Sequence, residues 1–586
     1  MQSAETVLGV LRERGRRGLP CEELYRQLFN PQLYLLAYGR LYANHGAMTP
    51  GADGQTVDGM SLGTIGRIIE ALRHERFRWS PVKRVYIPKK NGKRRPLGLP
   101  TWTDKLVAEV VRLLLEAYYE PTFRDSSHGF RPGRGCHTAL DKIADIWQGT
   151  TWFIEGDIAD CFGSLDHRVM EETLSRSIHD ARFLRLIRHM LQAGYLEDWI
   201  YHATLSGSPQ GGVASPILSN IYLDRLDTFV ETVLIPEYTR GSRRRPSREY
   251  HRTYYAMRRA RERGDMATFR TLRRRLRTLP SSDPRDPGYR RLRYIRYADD
   301  TLLGFIGPKA EAEQIKTRLA AFLREDLKLE LSPDKTLITH ARSGAARFLG
   351  YEITVQHSTT KITKRRRSVN GVIRLRVPLT AIRALCSRYL KGGKPAHRSD
   401  LFGAPDRDII RIYGAEYRGI VQYYLLASDV FRLDRLHWVM ETSLLKTLAG
   451  KHRSTVSTMA RRFKATIDTP DGPRKCLQVV TERPGRKPLV ARFGGIPLRR
   501  KQNATIVDLS AVRRSARPKE LISRLLAGRC ELCRHTSGGV VHHVRSLAEL
   551  AQRRQPRPTW ISMMLQKRRK TLVVCRDCRT QIHASS

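Results

Sequence analysis

The sequence predicts an α+β protein of several domains, and three observations predict it. At 586 residues the chain is too long for one core. Apolar strands alternate with amphipathic helices up to about residue 375, and helical periodicity dominates after it. Near the C-terminus stand two Cys-x-x-Cys pairs, Cys530/Cys533 and Cys575/Cys578, the spacing of a small zinc-bound module.

The elements follow in chain order. Residues 1–80 read as helical, with a Gly-rich turn near Thr49. VKRVYIPKKNGKRRPLGLP reads as two short strands around an Asn-Gly turn, a basic hairpin. LVAEVVRLLLEAYYEP is a helix stopped by Pro121. TWFIEGDIADCF is an apolar strand running into a turn, and VASPILSNIYLDRLDTFV is a helix. Residues 236–292, rich in Arg and Tyr, read as an inserted basic helical hairpin. YIRYADDTLLGF is strand, turn, strand; AEAEQIKTRLAAFLREDLKL is an amphipathic helix; ARFLGYEITVQ is a strand. Beyond residue 375 the candidates are helices of a bundle. Residues 455–528 are basic and mixed.

Charge narrows the function. Lys and Arg total 106 against 57 Asp and Glu, a formal net charge of +49. Such a charge repels itself unless a polyanion binds it, so nucleic acid is the expected partner. No run of 18 apolar residues exists, so neither a membrane span nor a membrane partner is expected. The N-terminus lacks a signal-peptide core. Five cysteines are scattered singly, which suits a reducing, intracellular setting rather than a disulfide scaffold.

Asp299 and Asp300 sit side by side inside an apolar run. Two like charges there need a cation, and magnesium, a hard ion with oxygen ligands, is the usual one. Two ions need a further carboxylate, for which Asp157 at the end of another apolar strand is the candidate. Such a pair of ions activates a 3′-hydroxyl and stabilises a leaving pyrophosphate.

These residues carry a resemblance. Tyr297-Ala298-Asp299-Asp300, Asp157, SGSPQGGVASPILSNIYLDRLD, LELSPDKTLITH, RFLGYEI, RRPLGLPTWTDKLV and SHGFRPGRGCHTAL occur in the order found in bacterial group II intron reverse transcriptase–maturases. The chain resembles that family from about residue 25 to its end. The resemblance implies a right-hand polymerase with an antiparallel palm sheet, an α-helical thumb/maturase domain and a zinc-bound ββα-type C-terminal module. The implied boundaries are 1–80 for an N-terminal extension of the fingers, 81–356 for fingers and palm, 357–480 for the thumb, 481–528 for a DNA-binding linker and 529–586 for the module.

It also implies roles. Asp157 and Asp299 ligate magnesium with help from Asp300. Phe162 lies under the sugar of the incoming nucleotide and selects dNTPs. Gln210, Gly211 and Gly212 let the backbone approach template and nucleotide. Lys83, Arg94, Arg95 and Lys335 contact triphosphate or template. Lys446, Lys451, His452 and Arg453 contact intron RNA. The expected partners are intron RNA, target DNA and dNTPs, in a bacterial cytoplasm near the nucleoid. A splicing-only maturase and a reverse transcriptase domesticated to another role are the alternatives.

The C-terminal module resembles an H-N-H nuclease. Cys530, Cys533, Cys575 and Cys578 would hold structural zinc. His542 and His583 would hold a catalytic divalent ion, and His543 would be the general base. The sequence departs from the pattern after Cys578, where Arg579 replaces a ligand histidine. A guanidinium cannot ligate a cation and repels one, so weak or absent nicking is expected.

Overall fold

The computed structural model describes residues 2–584 except 89–91, 93, 198–199, 205, 208–211, 285, 359–361, 364–365, 368–369, 502–503, 505–519, 537 and 553–555. No helix among the described residues is long and apolar enough to cross a membrane.

The centre is a four-stranded antiparallel sheet in the order Arg291–Tyr297, Asp300–Ile306, Trp152–Asp157, Ile338–His340. Both faces are covered, so Asp300–Ile306 is a nearly continuous apolar run rather than an alternating one. Ile154, Tyr294, Leu303 and Phe305 share one core with the helices Trp102–Tyr119, Ser215–Phe229 and Lys309–Leu327. Phe153, Ile295 and Leu302, on the opposite face, join a second core with the helix Cys136–Ile146 and the C-terminal helices. One sheet therefore cements two halves of the molecule.

Beside it, Val82–Pro88 pairs with Arg94–Leu99 as expected, and its other edge pairs in parallel with Tyr195–Glu197. Asn91 of the expected Asn-Gly turn lies outside the described residues. Residues 236–292 contain the helices Arg248–Glu262 and Met266–Leu276, packed against each other as a hairpin.

The C-terminal half departs from the all-helical expectation. Asp406–Tyr423, Asp434–Lys451 and Val456–Phe463 are helices, but Lys464–Thr469, Gly472–Arg483 and Arg486–Gly494 form a three-stranded antiparallel sheet. Its first strand alternates exposed Lys464, Thr466 and Asp468 with half-buried Ala465, Ile467 and Thr469, a period-2 pattern too short and too polar to stand out in a basic region. Gly414 lets the helix lie on this sheet: a Cβ there would stand 2.0 Å from the Arg492 carbonyl oxygen. The sheet also crosses the expected boundary at residue 480.

The last module has strands Val540–His543 and Thr571–Val574 followed by the helix Arg576–Ala584, a ββα unit. Its sheet has a third strand from far away: Met60–Ser61, near the N-terminus, pairs antiparallel with Val540 and Val541.

Buried among these elements are Arg296 and Asp227, both 0 % exposed, joined as an ion pair at 2.6 Å. Removing one partner of a buried pair strands the other charge and costs about 3–5 kcal/mol. Asp227→Ala is therefore expected to lower the unfolding free energy by that amount in urea titrations, far more than alanine at the exposed pair Arg258–Glu262.

Candidate active site

Asp157 ends the central strand and is paired in register with Asp300, which begins its neighbour. Asp299 lies in the two-residue turn between Tyr297 and Asp300. The other turn residue, Ala298, has φ of 55°, a left-handed conformation that costs a non-glycine residue about 1 kcal/mol.

Arg296 holds that turn from beneath. Its Nε donates to Asp227 Oδ1 at 2.8 Å, and Nη2 donates to Asp227 Oδ2 and Ser127 Oγ. Nη1 donates to the Ala298 carbonyl at 2.9 Å and to Asn220 Oδ1 at 3.2 Å. All five guanidinium hydrogens thus have acceptors, the condition under which a buried cation is tolerated. Asn220 in turn donates to the Gly129 carbonyl at 2.9 Å. Gly129 passes so near the turn that a Cβ would stand 2.3 Å from the Ala298 nitrogen. Sequence reasoning missed Arg296, Asp227 and Gly129; an arginine inside an apolar strand was the available signal.

The carboxylates repel one another. Burial, then Asp299 and Asp157, push the Asp300 carboxyl up to about 7. Burial is also the main cause that raises Asp299, opposed by the charges of Arg95 and Lys335. Lys335 Nζ donates to Asp157 Oδ2 at 2.7 Å, and this bond raises the lysine pKa. An acidic cluster of oxygen donors at a strand end fits hard divalent cations.

The other expected residues are dispersed around this cluster. Phe162 lies in the short helix Cys161–Ser164 and meets Phe130 edge-on at 6.4 Å. Arg94 and Arg95 are exposed on the basic hairpin, Arg95 within electrostatic reach of Asp299; Lys83 is half-buried on the partner strand. Gly212 is half-buried just before the helix Ser215–Phe229. Gln210 and Gly211 lie outside the described residues.

The thumb cations are not arrayed as free charges. Lys446 Nζ donates to the Pro395 carbonyl. Lys451 and His452 both close on Asp406, at 2.7 and 2.9 Å. Asp406, 45 positions upstream, sits in the first turn of its helix, and the sequence spacing alone does not show that it meets them. Arg453 alone of the four is exposed. A different basic surface appears between the inserted hairpin and the central domain. There a cleft of about 1240 Å³ is lined by Arg258, Arg261, Arg273 and Arg342 with Tyr250 and Tyr254, and no acidic residue among those described lines it.

At the C-terminal module the four cysteine sulfurs lie within 4.8 Å of one another, with Cys533 and Cys575 at 3.8 Å. Tetrahedral zinc with Zn–S bonds of about 2.3 Å spaces its sulfurs by about 3.8 Å, so the donor set fits. Burial opposes ionisation of Cys530, but backbone amides of Cys533, Cys575 and Leu532 outweigh it and bring the thiol down to about 6.

In the histidine cluster beside it, one ligand atom each of Asp58, His542 and His583 lie within 4.8 Å of one another, but an arginine shares their shell. Arg579 Nη2 donates to Asp58 Oδ2 at 2.8 Å. Asp58, absent from any sequence expectation, stands 3.5 Å from His542 Nδ1 and 3.3 Å from His583 Nε2. It also accepts the His543 backbone N–H at 2.8 Å. A guanidinium therefore occupies part of the shell. His543 is buried, which pushes its ring down to about 4.

Carboxylates on a palm-like sheet beside a basic hairpin define a template-directed polymerase of the right-hand class. Comparison with known families makes it a reverse transcriptase. Residues 87–256 match the reverse transcriptase (RNA-dependent DNA polymerase) domain, residues 376–479 the type II intron maturase domain, and residues 530–579 the AI2M/AI1M-like HNH endonuclease domain. The chain is 39 % identical to the group II intron-encoded protein LtrA of Lactococcus lactis subsp. cremoris, over 95 % of each chain. It is 32 % identical to a 91 kDa protein in the cob intron of Schizosaccharomyces pombe, over 96 % of this chain and 70 % of that one. It is 30 % identical to a putative COX1/OXI3 intron 1 protein of Saccharomyces cerevisiae, over 94 % and 68 %. The chain belongs to the group II intron-encoded proteins, and its polymerase is an RNA-directed DNA polymerase.

The segment that braces the turn is itself pH-sensitive. The His128 backbone N–H donates to the Arg296 carbonyl at 2.9 Å, and its ring meets Thr138 Oγ1 at 2.8 Å. Burial, then the charges of Arg134 and Lys142, hold the ring down at about 3. An unfolded histidine titrates near 6.5, so stability is complete above that pH and is lost as pH falls toward 3. Between pH 7.5 and 5.5, wild type is expected to lose about 1.4 kcal/mol more in urea titrations than His128→Gln.

Proposed function

We propose that this chain is the multifunctional protein of a group II intron. It copies RNA into DNA, binds its intron RNA to promote splicing, and supports insertion of the intron into DNA by target-primed reverse transcription. The observation that carries this reading is the cluster Asp157, Asp299 and Asp300 on a turn fixed by a buried arginine, in a chain with reverse transcriptase and intron maturase domains.

The residues take the following parts. Asp157 and Asp299, assisted by Asp300, hold two magnesium ions, which when bound supply Lewis-acid activation of the primer 3′-hydroxyl and charge stabilisation at the leaving pyrophosphate. Lys335, tied to Asp157 but largely exposed, swings to the triphosphate or gives a proton to the departing pyrophosphate. Arg94, Arg95 and Lys83 steer phosphates toward the carboxylates. Phe162, braced by Phe130, lies under the nucleotide sugar and leaves no room for a 2′-hydroxyl. Gln210, Gly211 and Gly212 keep the approach to template and nucleotide open.

Intron RNA binds the basic surfaces outside the site. The cleft under the inserted hairpin joins arginines to tyrosine faces, the pairing that grips unpaired RNA by phosphate contact and base stacking. Arg453 adds a contact at the thumb, whereas Lys446, Lys451 and His452 support its structure. Four cysteines hold zinc in the C-terminal module, which engages target DNA. Second-strand cleavage is weakened by Arg579.

Asp299→Ala tests the polymerase directly. The variant is expected to lose at least about 10³-fold in primer extension on an RNA template, about 4 kcal/mol of transition-state stabilisation, with RNA affinity unchanged. Wild-type extension by the variant would exclude the assignment. A wild type that assists splicing yet extends no primer would identify a splicing-only protein.

A further inference from the structure

The nuclease-like module is not tethered loosely to the polymerase. Met60–Ser61 completes its sheet, and the Gly59 N–H donates to the Val541 carbonyl at 2.9 Å. Val541 and Val573 of that sheet are fully buried in the same core as the N-terminal helices. Leu521, Ile522 and Leu525, just ahead of the module, enter that core too. The module's own core, around Trp560, Ile561 and Met564, lies on its other side.

At the edge of this contact Asp58 enters the histidine pocket. Its carboxylate meets Arg579, His542 and His583 through side chains and the His543 amide through the backbone. His542 is 5 % exposed, and neither ring nitrogen makes a well-formed hydrogen bond. Gly59 is packed against the same arginine: a Cβ on it would stand 3.0 Å from Arg579 Nη2, and its φ of 86° suits glycine. Carboxylate and guanidinium cancel, so the pocket keeps no net negative charge with which to draw in a divalent ion. The guanidinium repels one directly.

We infer that the pocket has become the latch of an intramolecular dock, in which the Asp58–Arg579 ion pair stands where a catalytic cation would sit and fastens the module to the N-terminal segment of the fingers. The partner of this surface is the protein's own chain, 521 residues away in sequence. The dock holds the His542 ring and the His543 backbone against Asp58, so the docked module positions DNA and does not cut it. This inference does not depend on the polymerase chemistry and stands or falls separately.

The experiment uses full-length, zinc-loaded protein. Hydrogen exchange is followed at the amides of residues 59–61 and 540–541, with zinc content measured in each variant to confirm that the module stays folded. Asp58→Ala and Arg579→Ala are each expected to speed exchange at both segments by at least tenfold while keeping one zinc per chain. The double variant should go no further than Asp58→Ala alone, because Asp58 takes part in every contact of the latch. Unchanged exchange in zinc-retaining Arg579→Ala would overturn the latch. So would titration of zinc-loaded wild type with Co²⁺ that fills one additional site, if Asp58→Ala abolishes that site; Asp58 would then be a metal ligand.

Discussion

The polymerase site depends on one buried cation. Arg296 has no exposed surface and spends every hydrogen of its guanidinium on Asp227, Asn220, Ser127 and the carbonyl of Ala298. A buried charge is costly unless it is paired and its remaining donors are satisfied. Here both conditions are met by groups from different elements. Asp227 and Asn220 come from one helix, Ser127 from the segment ahead of Gly129, and Ala298 from the turn itself. The arrangement ties three separate pieces of the chain to the shape of a two-residue turn.

That turn could not hold itself. Ala298 is in a conformation that alanine avoids, and the carboxylates on either side repel one another. Both penalties favour relaxation of the hairpin away from Asp157. The Arg296 bond to the Ala298 carbonyl and the close passage of Gly129 oppose that relaxation. Strain concentrated at the carboxylates and support placed one layer beneath them is the division expected of a preorganised site.

Part of this was legible in the sequence. Adjacent aspartates inside an apolar strand have few explanations, and Asp157 on a second apolar strand completes the set, so the cluster could be read from residue type and burial pattern. Cysteine spacing was equally direct, because two Cys-x-x-Cys pairs leave little else to do but close on one ion. The support was not legible. Arg296 on its strand was a weak mark, since 106 Lys and Arg make arginine common everywhere, and nothing marked Asp227 or Gly129 as its supports. The engagement of Lys451 and His452 by Asp406 was hidden as well, because 45 positions separate Asp406 from Lys451. The strands at 464–494 were hidden because their alternating positions mix polar, charged and small residues on both faces, which leaves a weak period-2 signal. Asp58 lay beyond reach altogether: only the folded chain brings it to Arg579. The departure at Arg579 was visible, and its partner was not.

The central claim is that the guanidinium fork, and not merely a positive charge, holds the catalytic turn. Arg296→Lys isolates it, since lysine keeps the charge but offers three donors on a single nitrogen in place of a planar fork of five. The decisive measurement is steady-state primer extension on an RNA template by this variant, with its folded fraction checked by thermal unfolding. A fall of about 100-fold or more in kcat, with KM for template–primer changed by less than about threefold, is the result predicted for a misplaced turn in an otherwise intact protein. A folded Arg296→Lys protein that extends primers at the wild-type kcat would contradict the account.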